Sequence, residues 1–385
     1  MNYHRILIFI LVTMICFAKF SMAFAEPAAV QEPTPDQTPV VTSKIFLIIA
    51  DGLQAETLQK TSVPNMNGIA SSGVSATKVI TVYPDTVQAT VTSVLTGMLP
   101  EKHGFNNVGD KLNAQTIQQA MEGKKIDTSF FGAEGELKNL WADGGYNCSG
   151  PFNNSDENVV NNVLAEWSKS QSYLNVIVLP ELRSVLNKHG VNSNEYKMAV
   201  TKTDSQIGRI LRKLHEENSY EKSMIIITGT HGSPPIMMKG LPFKENTQSP
   251  PLSICDIAPT IGYLNGIELG KVNGMVLWNT FKNLPGQSEE YLLSQRIKDL
   301  SDANSHLLDE MNRLQEEKNQ VKLQQDTIAK EKEDIQRQIE HRDKTILKLQ
   351  GQIKLYHMLA SVLIVILALS YFIFYRVLRK KFLMF

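Results

Sequence analysis

Short apolar runs rich in β-branched residues alternate with amphipathic helical patterns through the middle of the chain. The clearest helical pattern covers 195–215. The apolar runs have no polar face, which is typical of strands that are covered on both sides. They are KIFLIIA (44–50), SATKVITVY (75–83), YLNVIVL (173–179) and SMIIITG (223–229). This alternation predicts one α/β domain over 44–285, with a central, mostly parallel sheet between helical layers.

A different pattern occupies 287–356, where Glu, Lys, Gln, Arg and Leu predominate and proline is absent. Nine heptads in one register predict a coiled coil. One seam position takes Leu300, Leu307, Leu314, Val321, Ile328, Ile335, Arg342, Leu349 and Tyr356, and the other takes Ile297, Asn304, Met311, Lys318, Gln325, Lys332, Ile339, Ile346 and Ile353. Polar seam residues favour a defined register, so we expect a parallel homodimer and a stalk roughly 100 Å long. A solvated single helix with i to i+4 ion pairs is the alternative.

The last apolar stretch, 358–375, contains 18 residues and no charge. That length is about enough to cross roughly 30 Å of hydrocarbon, so we predict a transmembrane helix. The tail 376–385 follows with Arg376, Arg379, Lys380 and Lys381. By the positive-inside bias this tail lies in the cytoplasm, which makes the chain a single-pass membrane protein. A buried core helix is the alternative.

The first 25 residues have the pattern of a secretory signal peptide. A basic start precedes an apolar run at 6–18, and Ala23 and Ala25 give the A-x-A spacing of a cleavage site. A retained anchor helix is the alternative. The segment 26–43 has four prolines and few large apolar residues, which predicts an extended linker. The bulk of the chain is therefore expected to be exported, with the periplasmic side of an inner membrane favoured over an organelle lumen.

Charge and cysteine content exclude some partners and scaffolds. The formal net charge is +0 and the basic cluster is confined to the tail, so no nucleic-acid partner is expected. After signal cleavage Cys148 and Cys255 remain, which is too few for a disulfide scaffold but leaves one bridge open.

Candidate chemistry lies where the predicted strands end, because sites in parallel sheets form at the carboxyl edge. Asp51 and Gly52 follow the first strand, the 83–86 loop follows the second, and Thr230 and His231 follow the last. An Asp-Gly pair after a strand is also an ordinary turn. The order of the surrounding segments favours a functional role for Asp51 over an ordinary turn.

Five segments together resemble the alkaline phosphatase superfamily, and most of all its type I phosphodiesterase and nucleotide pyrophosphatase branch. They are VPNMNGIASSGV (63–74), YPDTVQATVTSVLTG (83–97), LPEKHGF (99–105), MIIITGTHGS (224–233) and CDIAPTIGYLNGIELG (255–270). The resemblance covers about 44–277 and implies a three-layer sandwich. It also implies a Thr or Ser nucleophile at a helix start and two metal ions, commonly zinc, held by about six Asp and His ligands.

The family pattern can be carried over to the first part of the site by counting. Asp51 matches the first metal ligand. The nucleophile position, three residues after Pro84 and nine before Thr96, is Val87. Thr86 is the neighbouring hydroxyl, and one step along the chain points a side chain elsewhere.

The remaining ligand positions have mostly changed. In LPELRSVLNKHGVNS (179–193), Arg183 stands where the family has Asp and Asn187 where it has His, while His189 is interpreted as a surface residue. His231 matches a ligand, but Thr230 replaces the preceding Asp. The family's final His ligand, which usually precedes the closing strand, has no counterpart, because 233–254 contains no histidine. Two matching ligands cannot hold two zinc ions tightly. His103 and Asp256 also match, yet their family roles are architectural, and Asp256 is interpreted as a helix cap.

Three hypotheses follow from this pattern. The first is a catalytically inactive binding or scaffold domain without a cofactor, displayed as a membrane-anchored dimer. The second is an active phosphodiesterase or phosphatase that uses Asp51, Thr86, His231 and Zn²⁺ or another divalent ion. The third makes the coil and anchor the functional part. Arg183 could contact a phosphorylated or sulfated ligand directly, since guanidinium groups bind such anions. A protein partner is also compatible with the sequence.

Overall fold

The computed structural model describes residues 42–132, 134–169, 172–282 and 287–382. It forms two units, one up to Leu300 and one from Ser301 onward. The predicted signal peptide (1–25) and nearly all of the predicted linker (26–43) lie outside the described residues, as does the end of the basic tail.

The core of the first unit is an eight-stranded sheet. Its strands are β1 (Ile45–Ala50), β2 (Val74–Ala76), β4 (Thr128–Phe131), β5 (Tyr146–Cys148), β6 (Leu174–Leu179), β7 (Met224–Thr228), β8 (Ile236–Lys239) and β9 (Thr247–Gln248), and a separate parallel pair contains β3 (Val79–Ile80) and β10 (Leu252–Ser253). The order is β5-β4-β6-β1-β7-β8-β2-β9. Strands β5 through β7 in that order are mutually parallel, while β8 runs antiparallel to both of its neighbours.

Helices cover both faces of this sheet. They are α1 (Ala55–Leu58), α2 (Pro64–Ser71), α3 (Val87–Thr96), α4 (Pro100–His103), α5 (Ile117–Gly123), α6 (Asp156–Ala165), α7 (Glu181–His189), α8 (Asn194–Glu216), α9 (Ile257–Leu264) and α10 (Glu289–Phe382). Alternate side chains of β1 point to opposite faces. One set packs with α3, α5 and α9, and the other packs with α2, α6, α7 and α8. The three-layer α/β prediction is confirmed.

The pairing of β1 explains where the site forms. β1 lies between β6 and β7, with Ala50 opposite Leu179 and Ile49 opposite Thr228. Because all three strands are parallel, the residues that follow them emerge at the same edge. Three of the four predicted strands form as expected, whereas SATKVITVY divides into β2 and β3, which belong to different sheets.

Glu289–Phe382 form one helix, α10. Its start belongs to the first unit, since Leu292 is buried in the core and Trp278 Nε1 donates to Asp299 Oδ2 at 2.6 Å. The helix contains an apolar stretch that is long enough to cross a membrane, and none of that stretch is buried against the protein. The prediction of a membrane helix at 358–375 is consistent with this stretch.

Candidate functional site

Asp51 occupies the centre of the carboxyl edge. It directly follows β1 and is almost fully buried, with 2 % of its surface exposed. Gly52 comes next with φ +98°, and a Cβ there would lie 2.6 Å from the backbone nitrogen of Arg183. The absence of a side chain at Gly52 therefore lets the first turn of α7 approach the end of β1.

Arg183 lies against Asp51. Its Nε donates to Asp51 Oδ1 at 3.0 Å, and its Nη2 lies 2.9 Å from the same oxygen. The Nη2 contact is an ion pair by distance only, because Nη2 is buried and makes no hydrogen bond to any described residue. Nη1 reaches Asp85 and donates to both its carbonyl oxygen and Oδ1 at 3.2 Å. The guanidinium thus joins two carboxylates.

Thr230 and His231 complete the cluster from the end of β7. The Thr230 hydroxyl donates to Asp51 Oδ1. His231 Nδ1 lies 2.7 Å from Arg183 Nη1 and also contacts Asp85 Oδ2. One ring nitrogen cannot accept from Nη1 and donate to Asp85 at the same time, so the presence or absence of a hydrogen on Nδ1 selects between these two hydrogen bonds.

Two side chains hold the His231 loop in place. Gln54 Nε2 donates to the His231 carbonyl oxygen at 2.5 Å, and Gln54 Oε1 accepts from Ser233 N at 3.0 Å. The Tyr196 hydroxyl in turn donates to Gly52 O at 2.6 Å and accepts from Gln54 N at 3.1 Å. The ends of β1 and β7 are therefore fixed relative to one another.

The structure gives Thr86 a structural role. Thr86 is the N-cap of α3: its Oγ1 accepts from Ala89 N at 3.1 Å and donates to Asn106 O. Val87 is the first helical residue, and it lines a cavity of about 370 Å³ together with Asp51 and Arg183. The helix start at the expected nucleophile position thus presents an isopropyl group to the cavity.

Two further predicted positions lie on α7 outside the cluster. Asn187 is one turn beyond Arg183 and exposed, and His189 is exposed at the helix end.

His103 and Asp256 are buried in the scaffold. His103 Nδ1 accepts from Phe105 N and Nε2 faces Ser93 Oγ, both at 3.1 Å, and burial lowers the pKa of His103 to about 4. Asp256 accepts from Ser253 N at 2.9 Å and from Met275 N at 2.8 Å. Asp256 stands at the N-cap position of α9, as predicted, but its side chain makes no capping hydrogen bond to that helix. It is instead the reciprocal member of the capping box of the 3-10 turn Ile254–Asp256, whose N-cap is Ser253.

The cluster does not fit a two-zinc site. Among the described residues, no three His, Cys, Asp or Glu side chains are arranged to hold a metal ion. Asp51 Oδ1 already receives Arg183 and the Thr230 hydroxyl, and His231 Nδ1 is engaged by Asp85 and Arg183. A cation next to Asp51 would also meet the positive charge of Arg183, which it would have to displace.

The fold and this edge define a class of protein. A three-layer α/β sandwich with Asp51, a helix N-terminus and His231 at one sheet edge is the arrangement of the alkaline phosphatase superfamily. The family model for type I phosphodiesterase / nucleotide pyrophosphatase matches residues 45–143 and 111–247, which together span more than half of the chain. The chain belongs to this family.

Individual relatives support the assignment. An ectonucleotide pyrophosphatase/phosphodiesterase of Caenorhabditis elegans is 26% identical over 220 residues, which are 49% of this chain and 26% of the relative. Venom phosphodiesterase 2 of Crotalus adamanteus is 24% identical over 231 residues, 53% of this chain and 28% of the relative. The chain thus covers only about a quarter of the length of these curated relatives.

Solved structures agree on the fold. Murine ectonucleotide pyrophosphatase / phosphodiesterase 5 superposes with a TM-score of 0.54 at 13% identity, over 61% of this chain and 98% of that one. The human protein of the same name gives 0.53 at 14% identity, over 60% and 97%. An inactive variant of the murine protein in complex with AMP also gives 0.53.

Sequence reasoning missed two contributors to the site. Asp85 was grouped with its loop but given no role, although an acidic residue two positions before the expected nucleophile was a usable signal. Gln54 carried no signal, because its hydrogen bonds join residues 177 and 179 positions apart in sequence.

Proposed function

We propose that this protein is a catalytically inactive member of the phosphodiesterase family, which serves as a membrane-anchored binding or scaffold domain and dimerises through α10. The observation that carries the proposal is the position of Arg183. Its guanidinium bridges Asp51 and Asp85 and lies 2.7 Å from His231. The side chain that replaces a metal ligand thereby supplies the positive charge that these acidic groups need.

The accompanying substitutions fit the same account. In the family a second carboxylate stands at position 230, and two carboxylates side by side require a cation between them. Here Thr230 offers a hydroxyl donor to Asp51 instead, so the pair is favourable without a metal. Val87 removes the nucleophile. Each change suits a site that no longer activates water or an alcohol.

An active hydrolase remains the competing function. It would need Thr86 to leave its helix cap and Arg183 to release Asp51. No cofactor is expected for the inactive protein, and Zn²⁺ or another divalent ion is expected for the active one. Direct contact of Arg183 with an anionic ligand is a weaker extension, because Nε and Nη1 already donate to carboxylates.

The same proposal includes a location. The stretch 358–375 anchors the chain, the tail 376–385 lies in the cytoplasm, and the compact unit lies on the exported side, in the periplasm. The predicted anchor rests on the apolar stretch in α10, and the predicted sidedness rests on the positive charge of the tail. Alkaline phosphatase fused after Phe385 should be inactive in cells, while the same reporter placed before 358 should be active. Activity of the fusion after Phe385 would show that the C-terminus lies on the exported side and would contradict the proposed topology.

The functional test is turnover. The full chain in detergent, incubated with zinc and a chromogenic phosphodiester, should release no product above a protein-free control. Turnover that is lost in Thr86→Ala and retained in Thr86→Ser would overturn the proposal and identify Thr86 as the nucleophile.

A further inference from the structure

The first turns of α10 use one face to pack against the rest of the compact unit, which is the first unit, up to Leu300. Leu292 is 3 % exposed and packs in the core, and Asp299 accepts from Trp278. Arg296 lies between them in sequence, and its Nη1 is 3.9 Å from the sulfur of Met275. Residues spaced by three and four lie on one side of a helix. This side therefore holds the helix to its own domain.

The neighbouring face of the same turns, about 100° further round the helix, is exposed and apolar. Leu293, Ile297 and Leu300 are 47 %, 66 % and 46 % exposed. Leu293 stands seven residues before Leu300 and so continues the seam of the predicted coil upstream. The seam thus extends into the compact unit, where these three side chains keep about half or more of their surface exposed.

The charges along the seam specify how a second copy would pair. Lys318 and Lys332 occupy seam positions, and each directly follows a glutamate, Glu317 or Glu331. Lys318 and Lys332 belong to the seam set that begins with Ile297. In a parallel, in-register pair, a side chain of this set packs beside the partner residue whose number is one lower than its own. Lys318 would then meet Glu317 of the partner subunit, and Lys332 would meet Glu331 of the partner subunit.

We infer that a second copy of this chain packs against the Leu293, Ile297 and Leu300 face, parallel and in register, so that the dimer interface begins inside the compact unit. This rests on the proposed dimerisation and adds where the interface starts and which side chains form its first turns. Leu241 is 46 % exposed and lines a cavity of about 360 Å³ with Leu293. The partner helix passes this cavity, and the two domains are held in a fixed relation at the base of the coil.

Disulfide trapping of the full chain in detergent tests the inference. Leu293→Cys and Leu314→Cys place single thiols on the seam, and Lys298→Cys places one on an exposed position of the same turns but off the seam. The background carries Cys16→Ser and Cys148→Ser and keeps the buried Cys255. Two cysteines can form a disulfide only when their Cα atoms lie within about 7 Å.

The expected result is a dimer band, sensitive to reductant, for Leu293→Cys and Leu314→Cys and none for Lys298→Cys. A dimer band for Leu314→Cys alone would overturn the inference while leaving a coiled-coil dimer in place. No band at either seam position would contradict both the inference and the proposed dimerisation. Equal bands for all three variants would show that thiol exposure alone drives the reaction, which also overturns the inference.

Discussion

Arg183 and Asp51 form a buried ion pair at the carboxyl edge of the sheet, with Nε and Nη2 3.0 and 2.9 Å from the same carboxylate oxygen. The two residues are 132 positions apart and come from β1's end and from α7. Their pairing makes the stability of the fold depend on a side chain that the sequence pattern predicts to stand at a metal-ligand position of the family.

Removing the guanidinium should destabilise the protein strongly. Arg183→Met leaves Asp51 buried without its charge partner, so the free energy of unfolding should fall by roughly 3–5 kcal/mol. Denaturant unfolding followed by tryptophan fluorescence measures this. The matched control is Lys282→Met, which breaks an exposed pair with Glu245 and should cost about 1 kcal/mol or less. Equal losses in the two variants would argue against a special role for Arg183.

Thr86 should behave as a helix cap. Thr86→Ala removes the acceptor for Ala89 N and should lower the free energy of unfolding by about 1 kcal/mol. Thr86→Ser retains the hydroxyl and should remain close to the wild-type value. The same denaturation experiment compares the two, and a Thr86→Ala variant as stable as wild type would disprove the capping role.

His103 should make the fold sensitive to acid. Burial lowers its folded pKa to about 4, below the ordinary histidine pKa of 6.5, so between these values the unfolded chain binds the proton and the folded chain does not. The contribution of His103 to the free energy of unfolding is fully present above pH 6.5. It is lost as the pH falls toward 4, by roughly 3 kcal/mol in total. His103→Asn does not titrate, so the stability difference between wild type and variant should shrink as the pH falls. A constant difference would contradict the assignment.

A metal site should form when residues of the family pattern are introduced at the candidate site. Val87→Thr, Arg183→Asp, Asn187→His and Thr230→Asp together return the missing nucleophile and three ligands beside Asp51 and His231. This variant should retain zinc after dialysis, as measured by elemental mass spectrometry, while wild type should not. Adding Asp51→Asn should abolish the retention, and circular dichroism should establish that both variants are folded. A folded restored variant without zinc would contradict the prediction that these five ligands are enough to hold a metal ion.

The sequence alone predicts most strands of the sheet and the residues that differ from the family pattern. It does not predict the contacts that Arg183 makes at the site. Strands such as Ile45–Ala50 are apolar on both faces, so their type and burial follow from local pattern. SATKVITVY gave no local sign that Ala76 and Val79 enter different sheets, because that depends on the partners β8 and β10. The bridge from Arg183 to Asp85 likewise depends on tertiary packing, since these residues are 98 positions apart.

The zinc content of the full chain tests the central claim most directly. The protein would be purified in detergent, dialysed against zinc and then against buffer, and analysed by elemental mass spectrometry. We predict no zinc above the level found for the Asp51→Asn variant, because Arg183 supplies the charge that a metal would bring. Near-stoichiometric zinc that is lost in Asp51→Asn would contradict the account and point to a working metal centre.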